Sequence, residues 1–494
     1  MLNKLKENKH IILLILFGFF ATATFSSSKM VDYDFWFHYT AGEHFVNTGT
    51  IPNTPIFSWY GIQENLPWIS HEWLFGVIIY YVYNWLGKSG IYLFSIGLIS
   101  LSIVITIYLF RDKFKKNYVL SVIGIVIAAK IASMGAAPRP QLFAYILTTV
   151  LFYILKTDSE KDSNIIWCLP ILTIIWTNVH GGSYLLIHAF LLMSILIHLF
   201  DFKLGKIVFE KHDRKRLYRR LLVMVCCILV IPLNGHGFDM ITYPLTNFGD
   251  NVMQLGISEW ASPDLKVSSH IKIYIMMAIG ICALISTKKE IKAIDMLSMF
   301  VYIYLTARSA RFALQMSFVL LPIALSYTDS IDEWFKISKE KLITFTLSSL
   351  TLIVFLSSVV TITNNFDDPM HMILFPSDEM VELVKETKPN KLLNGYNEGG
   401  YLIFKDVDVF IDGRADIYTK YNFEDYTTIV DLEKNALELF DKYEFDYVLL
   451  MKKYPLVNYM ANSNDFELVK EDDVYAYYHV IGDVSEEENV GEHK

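Results

Sequence analysis

The sequence lacks the features by which most soluble enzymes are recognised. It contains no Gly-x-x-x-x-Gly-Lys-Ser/Thr phosphate loop, no His-Glu-x-x-His pair and no Gly-x-Ser-x-Gly turn. It also has no internal repeat of the kind that many transporters show. Cysteine is scarce, and no cysteine is placed for a disulfide or a metal site, because all four lie inside apolar runs: Cys168, Cys226, Cys227 and Cys282.

Long apolar segments dominate what is present. The chain has 494 residues, 53% of them hydrophobic, and a mean hydropathy of +0.34. Repeated apolar runs of roughly fifteen to twenty residues are typical of a polytopic membrane protein. The first run follows Lys4, Lys6 and Lys9 and has no convincing cleavage site. We therefore expect an uncleaved first span and a cytoplasmic N-terminus.

The apolar runs together predict roughly 11 to 13 transmembrane helices, so we expect a multi-pass protein of the cell membrane. The most basic connection, Asp201–Arg220, is expected in the cytoplasm. The alternation of spans then places the C-terminal residues outside. One run, Leu74–Leu86, does not fit this scheme as a full span. We expect a re-entrant or surface-lying helix there, or else one span fewer or more nearby than the apolar runs indicate.

The C-terminal residues differ in composition from the rest. From position 362 to the end there are 29 acidic and 12 basic residues, so an acidic part follows a basic membrane body. This charge disfavours nucleic acid as a partner. We divide the chain into a transmembrane domain, 1–361, and a small extracytoplasmic α/β domain, 362–494. The patterns predict helices at Asp378–Glu386 and Asn435–Tyr443, strands at Tyr401–Phe404, Val407–Ile411, Tyr447–Met451 and Asp473–Val480, and disorder at Glu486–Lys494.

The first external loop, 31–73, concentrates polar chemistry beside the membrane. It carries Asp32 and Asp34, then His38, and later the pair His71-Glu72, all set among aromatic residues. Acids and imidazoles among interfacial aromatics suggest a site for the polar group of an amphipathic ligand. The alternative is a solvated loop with an aromatic belt.

Polar, glycine-flanked breaks between the apolar runs fall on the same outer side in this scheme. Ionisable groups in or near a membrane are costly and tend to mark function, so we expect these breaks to line one external cavity with the loop. The residues are Asp34, His71, Glu72, Arg139, His180, His236, Glu259 and Arg308, and Arg311 closes the set. Arg308 and Arg311 are alternatively the snorkelling end of a helix.

Taken in order, these motifs resemble the C-type membrane glycosyltransferases (GT-C). That superfamily includes protein O-mannosyltransferases, the bacterial aminoarabinose transferase and the oligosaccharyltransferase catalytic subunit, and the resemblance here is to a bacterial, uncharacterised branch. It covers nearly the whole chain. It rests on Asp34-Phe-Trp36-Phe-His38, Gly42, Gly49-Thr-Ile-Pro52, Trp68-Ile-Ser-His71-Glu72-Trp73-Leu74, Arg139-Pro-Gln141, Asn178-Val-His180-Gly-Gly182, Ile257-Ser-Glu259-Trp260 and Phe410-Ile-Asp-Gly-Arg414.

The resemblance implies a GT-C-like helical membrane fold, a polyprenyl-phosphate-linked sugar donor and transfer on the external face. It also implies a catalytic base from the first external loop, for which Asp34 matches best and Asp32 second. An inverting transfer then needs a cation beside the departing lipid phosphate, and Arg139 and Arg308 are the candidates. His71 and Glu72 are expected to orient the acceptor.

A metal is a weaker expectation. No cofactor is firmly predicted, although Asp32, Asp34 and Glu72 are candidate ligands for a divalent cation such as Mg or Mn. His38, Arg311 and Arg414 complete the predicted substrate-binding set. For Arg414, a structural ion pair with Asp412 or Asp416 is favoured over substrate contact.

Two other functions stay open at this level. One is a flippase or transporter for lipid-linked sugars, and the other is a non-catalytic partner in cell-envelope polysaccharide assembly. A flippase would need polar residues along the whole membrane path, whereas here they gather on one side. The expected partners are the donor, membrane lipid and an acceptor that is a glycan, a lipid or a protein.

Overall fold

A computed structural model describes residues 2–26, 32–247, 260–330, 332, 340–370 and 374–482. The chain divides into two compact units, each described by itself. The helical unit comprises Met1–Met30, Val82–Leu245 and Ile257–Met370. The mixed unit comprises Val31–Tyr81, Thr246–Gly256 and His371–Lys494.

The helical unit is built from apolar helices, which confirms the predicted helical membrane architecture. In the described ranges, six helices are long and apolar enough to cross a membrane, and three shorter ones are also apolar. The predicted total of 11 to 13 spans stays a prediction. The main helices are Leu2–Ser26, Trp73–Leu109, Arg111–Phe114, Tyr118–Ala132, Gln141–Glu160, Leu169–Val179, Leu185–Ile197, Arg214–Leu229, Asp239–Asn247, Ile271–Ser286, Ala293–Arg308, Ala313–Tyr327 and Glu340–Asn365.

The helix Trp73–Leu109 runs from the mixed unit into the helical unit and is broken at Gly87. This glycine has φ 64° and ψ −161°, a conformation that only glycine adopts readily. The part before the break is about 20 Å long at 1.5 Å per residue, which is shorter than a hydrocarbon core of about 30 Å. The predicted run Leu74–Leu86 is therefore helical and too short for a straight span.

A small sheet lies in the loop that we predicted to be the most basic. Strands β1 (Phe202–Leu204) and β2 (Ile207–Phe209) form an antiparallel hairpin, and β2 pairs in parallel with β3 (Ile291–Lys292). Gly205 has φ 60° at the hairpin turn, where a left-handed residue is needed.

The mixed unit contains a four-stranded sheet covered by short helices. The strands are β4 (Leu392–Asn394), β5 (Tyr447–Met451), β6 (Phe466–Glu471) and β7 (Tyr475–Val480), in the order β4-β5-β7-β6. Only β4 and β5 are parallel. The helices are Phe35–Thr48, Trp59–Gln63, Asp378–Thr387, Gly399–Phe404, Ala415–Tyr418, Phe423–Val430, Ala436–Tyr443 and Pro455–Met460.

The predicted external loop contributes to the core of this mixed unit. Leu66 and Trp68 are buried with Phe410 and other C-terminal residues. The indole Nε1 of Trp59 donates to the carbonyl oxygen of Leu392 at 3.0 Å. Burying these large apolar groups in a common core favours the association of the two segments, because each buried side chain contributes roughly 1.5–3 kcal/mol.

Two predicted strands are wrong. Tyr401–Phe404 lies in the helix Gly399–Phe404, which packs against the helix Phe35–Thr48 with the rings of Trp36 and Phe404 4.2 Å apart. A short apolar run does not distinguish helix from strand, and a tertiary partner decided here. Val407–Ile411 makes only one isolated bridge, between Val409 and Ser58.

The other predicted elements of this part are confirmed. Helices occur at Asp378–Thr387 and Ala436–Tyr443, and strands occur at Tyr447–Met451 and Tyr475–Val480. The boundary predicted between 361 and 362 falls within the helix Glu340–Asn365. The disorder predicted for Glu486–Lys494 lies outside the described residues.

Candidate functional site

The predicted catalytic acids lie at the start of the helix Phe35–Thr48. Asp32 is 1% exposed, and its Oδ1 accepts a hydrogen bond from the backbone N–H of Asp34 at 3.1 Å. Asp34 occupies the N-cap position, yet its side chain makes no capping hydrogen bond to the helix. An aspartate in this position normally accepts from the first-turn amides. The carboxylate of Asp34 is therefore directed elsewhere.

It is directed to Gly413. A Cβ placed on Gly413 would lie 2.1 Å from Oδ1 of Asp34 and 3.5 Å from a ring carbon of Phe37. Only glycine allows this contact, because the Cβ of any other residue would overlap the carboxylate oxygen. The structure thus brings Asp34, the favoured catalytic base, to the C-terminal motif that ends in Arg414.

Asp412 and Arg414 form the buried ion pair that the sequence favoured. Asp412 is 0% and Arg414 2% exposed, and Nε of Arg414 donates to Oδ1 of Asp412 at 2.8 Å. Tyr418 donates its hydroxyl to the other carboxylate oxygen at 2.8 Å. The guanidinium also lies 4.5 Å from the centroid of the Trp68 ring, a cation–π contact. Burial opposes the charge of Arg414, but the Asp412 carboxylate outweighs this and raises the pKa of Arg414.

The remaining predicted loop residues form a chain of imidazole and carboxylate groups. Nε2 of His71 lies 3.3 Å from one oxygen of Glu72, and Nε2 of His38 lies 3.7 Å from the other. Nδ1 of His71 lies 3.1 Å from the carbonyl oxygen of Ile69. A carbonyl and a carboxylate both accept hydrogen bonds, so each ring nitrogen of His71 faces an acceptor, an arrangement that favours the imidazolium form.

The electrostatics agree with this protonation state. Burial lowers the pKa of His71, but the charge of Glu72, the hydrogen bond between them and the charge of Asp416 together raise it above 6.5. Asp32, Asp34, His38, His71, Glu72 and Arg414 all belong to the mixed unit.

Sequence reasoning missed one buried acid of this unit. Glu398 is 2% exposed, and burial raises its pKa. Its Oε1 and the carbonyl oxygen of Leu374 both lie 2.9 Å from the hydroxyl of Tyr475, which has only one proton to donate. The neighbours of Glu398 in Gly395-Tyr-Asn-Glu-Gly-Gly400 give no local signal of this burial.

Arg139, Arg308 and Arg311 belong to the helical unit. Nη2 of Arg311 donates to Oε1 of Gln141 at 2.9 Å, and its guanidinium lies 4.9 Å from the ring centroid of Trp260. The structure therefore brings three motifs together that are far apart in sequence. Arg308 ends the helix Ala293–Arg308 with its side chain exposed.

His180 and His236 also belong to the helical unit, where their loops meet. The side chain of Asn234 donates to the carbonyl oxygen of Thr177, and its Oδ1 accepts from the backbone N–H of His236 at 3.1 Å. Nδ1 of His180 is hydrogen bonded to Ser183 at 2.6 Å. Glu259 lies outside the described residues. The single cavity predicted to combine these residues with Asp34 stays a prediction.

The predicted divalent cation has no support from a cluster of ligands. Within the ranges that the structure describes, no group of three or more histidine, cysteine, aspartate or glutamate residues could hold a metal ion. The candidate ligands Asp32, Asp34 and Glu72 thus stay a prediction.

Comparison with known proteins rests on the fold. No family model and no curated protein matches the sequence. The structure is similar to the Archaeoglobus fulgidus oligosaccharyltransferase AglB in complex with an inhibitory peptide and a dolichol-phosphate, with a TM-score of 0.56 and 11% identity over 90% of this chain and 70% of that one. It is also similar to ArnT from Cupriavidus metallidurans bound to undecaprenyl phosphate, with a TM-score of 0.52 and 9% identity over 96% and 98% of the two chains. Both neighbours are GT-C membrane glycosyltransferases, and this chain has the GT-C fold.

Proposed function

We propose that the protein is an inverting glycosyltransferase that moves a sugar from a polyprenyl-phosphate-linked donor to an acceptor on the external face of the membrane. The observation that carries the proposal is the position of Asp34 within the GT-C fold. This residue directly precedes the first helix of the mixed unit, and its carboxylate lies against Gly413. The support for a lipid-linked donor is that AglB was solved with dolichol-phosphate and ArnT with undecaprenyl phosphate.

In this mechanism the carboxylate of Asp34 accepts the proton of an acceptor hydroxyl. The hydroxyl oxygen forms a bond to the anomeric carbon from the face opposite the phosphate, and the bond from that carbon to the phosphate oxygen breaks. Because attack and departure occur on opposite faces, the configuration of the anomeric carbon is inverted. The electron pair leaves with the polyprenyl phosphate, so no general acid is required. Asp32 is the alternative base.

The departing phosphate needs a positive partner, because its charge increases as the bond breaks. We assign this role to Arg139 and Arg308, with Arg311 alongside, since a guanidinium can bind phosphate through two hydrogen bonds. His38, His71 and Glu72 orient the acceptor.

The experiment uses the purified full-length protein in lipid nanodiscs. It is given undecaprenyl phosphate carrying radiolabelled glucose, galactose or mannose, with cell-envelope material as the source of acceptor. We expect release of free undecaprenyl phosphate with one of the sugars, and loss of that release in Asp34→Asn. Glu64→Gln removes an exposed carboxylate from the same loop and serves as the matched control.

The rival functions give different results in the same system. A flippase moves the labelled lipid between leaflets of a proteoliposome without releasing the phosphate. A non-catalytic assembly partner does neither. If Asp34→Asn and Asp32→Asn both keep full turnover, the assignment of the base is wrong.

A further inference from the structure

We infer that the turn Asp412-Gly413-Arg414 positions the carboxylate of Asp34, and that Gly413 is a positioning residue because its missing side chain makes room for this group. The inference rests on the proposed function in naming Asp34 as the base. It adds that residues close to the C-terminus are part of the same reactive centre.

The contact between the two residues leaves no space for a methyl group. A Cβ on Gly413 would lie 2.1 Å from Oδ1 and 3.1 Å from Cγ of Asp34. Gly413 is not among the glycines with positive φ, so alanine is allowed by the backbone at this position. A Gly413→Ala substitution therefore tests the contact with Asp34 and not the conformation of the turn.

The turn itself is held rigidly from several sides. The hydroxyl of Tyr396 donates to the carbonyl oxygen of Gly413 at 3.1 Å. The side chain of Asn394 accepts from the N–H of Phe410 and donates to the carbonyl oxygen of Ile411, each at 2.8 Å. The buried pair of Asp412 and Arg414 fixes the other end. An added methyl is thus accommodated by displacing the side chain of Asp34.

The backbone that carries Asp34 is closely packed against a second glycine. A Cβ on Gly400 would lie 3.1 Å from the carbonyl oxygen of Tyr33 and 3.4 Å from the backbone nitrogen of Phe37. The two glycines thus contact the residues on either side of the acid and the acid itself. Because the carboxylate is the end of a flexible side chain, a change of the Asp34 rotamer is the simplest response to an added methyl group on Gly413.

The consequence for turnover follows from geometry. A base must lie within hydrogen-bonding reach of the proton that it removes, and a displacement of about 1 Å costs on the order of 100-fold in rate. We expect Gly413→Ala to lower kcat at least tenfold while leaving KM for the labelled donor lipid unchanged.

A matched steric control lies in the same unit. A Cβ on Gly482 would lie 2.2 Å from Oδ1 of Asp465, so Gly482→Ala produces an equally severe overlap with the carboxylate of a different aspartate. We expect kcat of Gly482→Ala to stay within about threefold of the wild type.

A second measurement does not depend on activity. The apparent melting temperature is determined for Asp34→Ala, Gly413→Ala and the double variant. We expect Gly413→Ala to lower the melting temperature and Asp34→Ala to restore most of that loss, because it removes the overlapping oxygen. Asp34→Ala should not rescue Gly482→Ala, whose overlap is with Asp465. The double variant also keeps the test valid if Gly413→Ala alone does not fold.

The outcomes separate this inference from the proposed function. If the wild type transfers no sugar but the rescue is seen, the contact is right and the function is wrong. If the wild type transfers sugar while Gly413→Ala keeps its kcat, or if the two substitutions act additively on melting, the positioning role is wrong.

Discussion

Gly42 lies directly against the backbone of Gly76. A Cβ on Gly42 would be 2.1 Å from the carbonyl oxygen of Gly76, and one on Gly76 would be 2.7 Å from the carbonyl oxygen of His38. Two helices therefore cross with their backbones in contact. This crossing places Nε2 of His38 3.7 Å from a carboxylate oxygen of Glu72. It also explains why position 42 is a glycine.

Gly42→Ala is expected to destabilise the protein. Alanine is normally favoured over glycine inside a helix by roughly 0.8–1 kcal/mol, but an overlap with a backbone oxygen cannot be relieved by a rotamer change and costs about 1–3 kcal/mol. The apparent melting temperature in detergent should fall for Gly42→Ala. It should be unaffected or raised for Asn47→Ala, at an exposed position of the same helix. An increase for Gly42→Ala would contradict the close crossing.

The imidazolium of His71 makes the stability of the protein depend on pH. The pKa of His71 in the folded state is raised above 6.5, so its protonated form contributes stability that is fully present below about pH 6.5 and is lost as the pH rises through the raised pKa. The melting temperature should fall across this window in the wild type. His71→Gln should remove that component of the pH dependence, whereas replacement of the more exposed His479 by glutamine should not.

Asp412→Asn should be among the most damaging single substitutions in the mixed unit. It leaves the buried guanidinium of Arg414 without its counter-charge, and breaking a buried pair in this way costs roughly 3–5 kcal/mol. The pair of Asp425 and Lys442 is partly exposed, so Asp425→Asn should cost no more than about 1 kcal/mol. The melting temperatures of the two variants measure the difference between these losses of stability. Equal losses would show that the pair of Asp412 and Arg414 contributes no more to stability than the partly exposed pair.

Glu398→Gln should stabilise the protein at neutral pH. Burial raises the pKa of Glu398 above 4.5, so its ionisation costs stability as the pH rises above about 4.5, and an amide of the same shape avoids this cost. The gain in melting temperature should be present at pH 7 and shrink toward pH 4.5. Glu467→Gln, at an exposed position, provides the baseline. A loss of stability at pH 7 would mean that the buried carboxyl group of Glu398 does not cost stability there.

Apolar patterns predicted the elements that the structure confirms in the C-terminal part. The helix Asp378–Thr387 has apolar residues at helical spacing, and the strand Tyr447–Met451 is a continuous apolar run. The run Tyr401–Phe404 has only four apolar residues, too few to distinguish a helix from a strand. In the structure it lies in a helix whose Phe404 ring contacts the ring of Trp36. No local pattern indicates a partner more than three hundred residues away.

The ion pair of Asp412 and Arg414 was favoured because opposite charges two residues apart can meet in one turn. The role of Gly413 between them was not predictable, since a glycine in a turn is common and its contact with Asp34 depends on a distant segment. Likewise, the burial of Glu398 was not predictable, because nothing in the neighbouring sequence indicates it.

Composition and order along the chain were enough to determine a multi-pass helical protein with an acidic C-terminal part and an acid-bearing loop after the first span. These properties are local, since the length of an apolar run and the charge of a segment depend only on consecutive residues. Only the tertiary structure decided that this loop and the C-terminal residues share one core, and that Asp34 meets Gly413 there. Such contacts arise from packing between distant segments, where shape and the absence of a single methyl group determine what can touch.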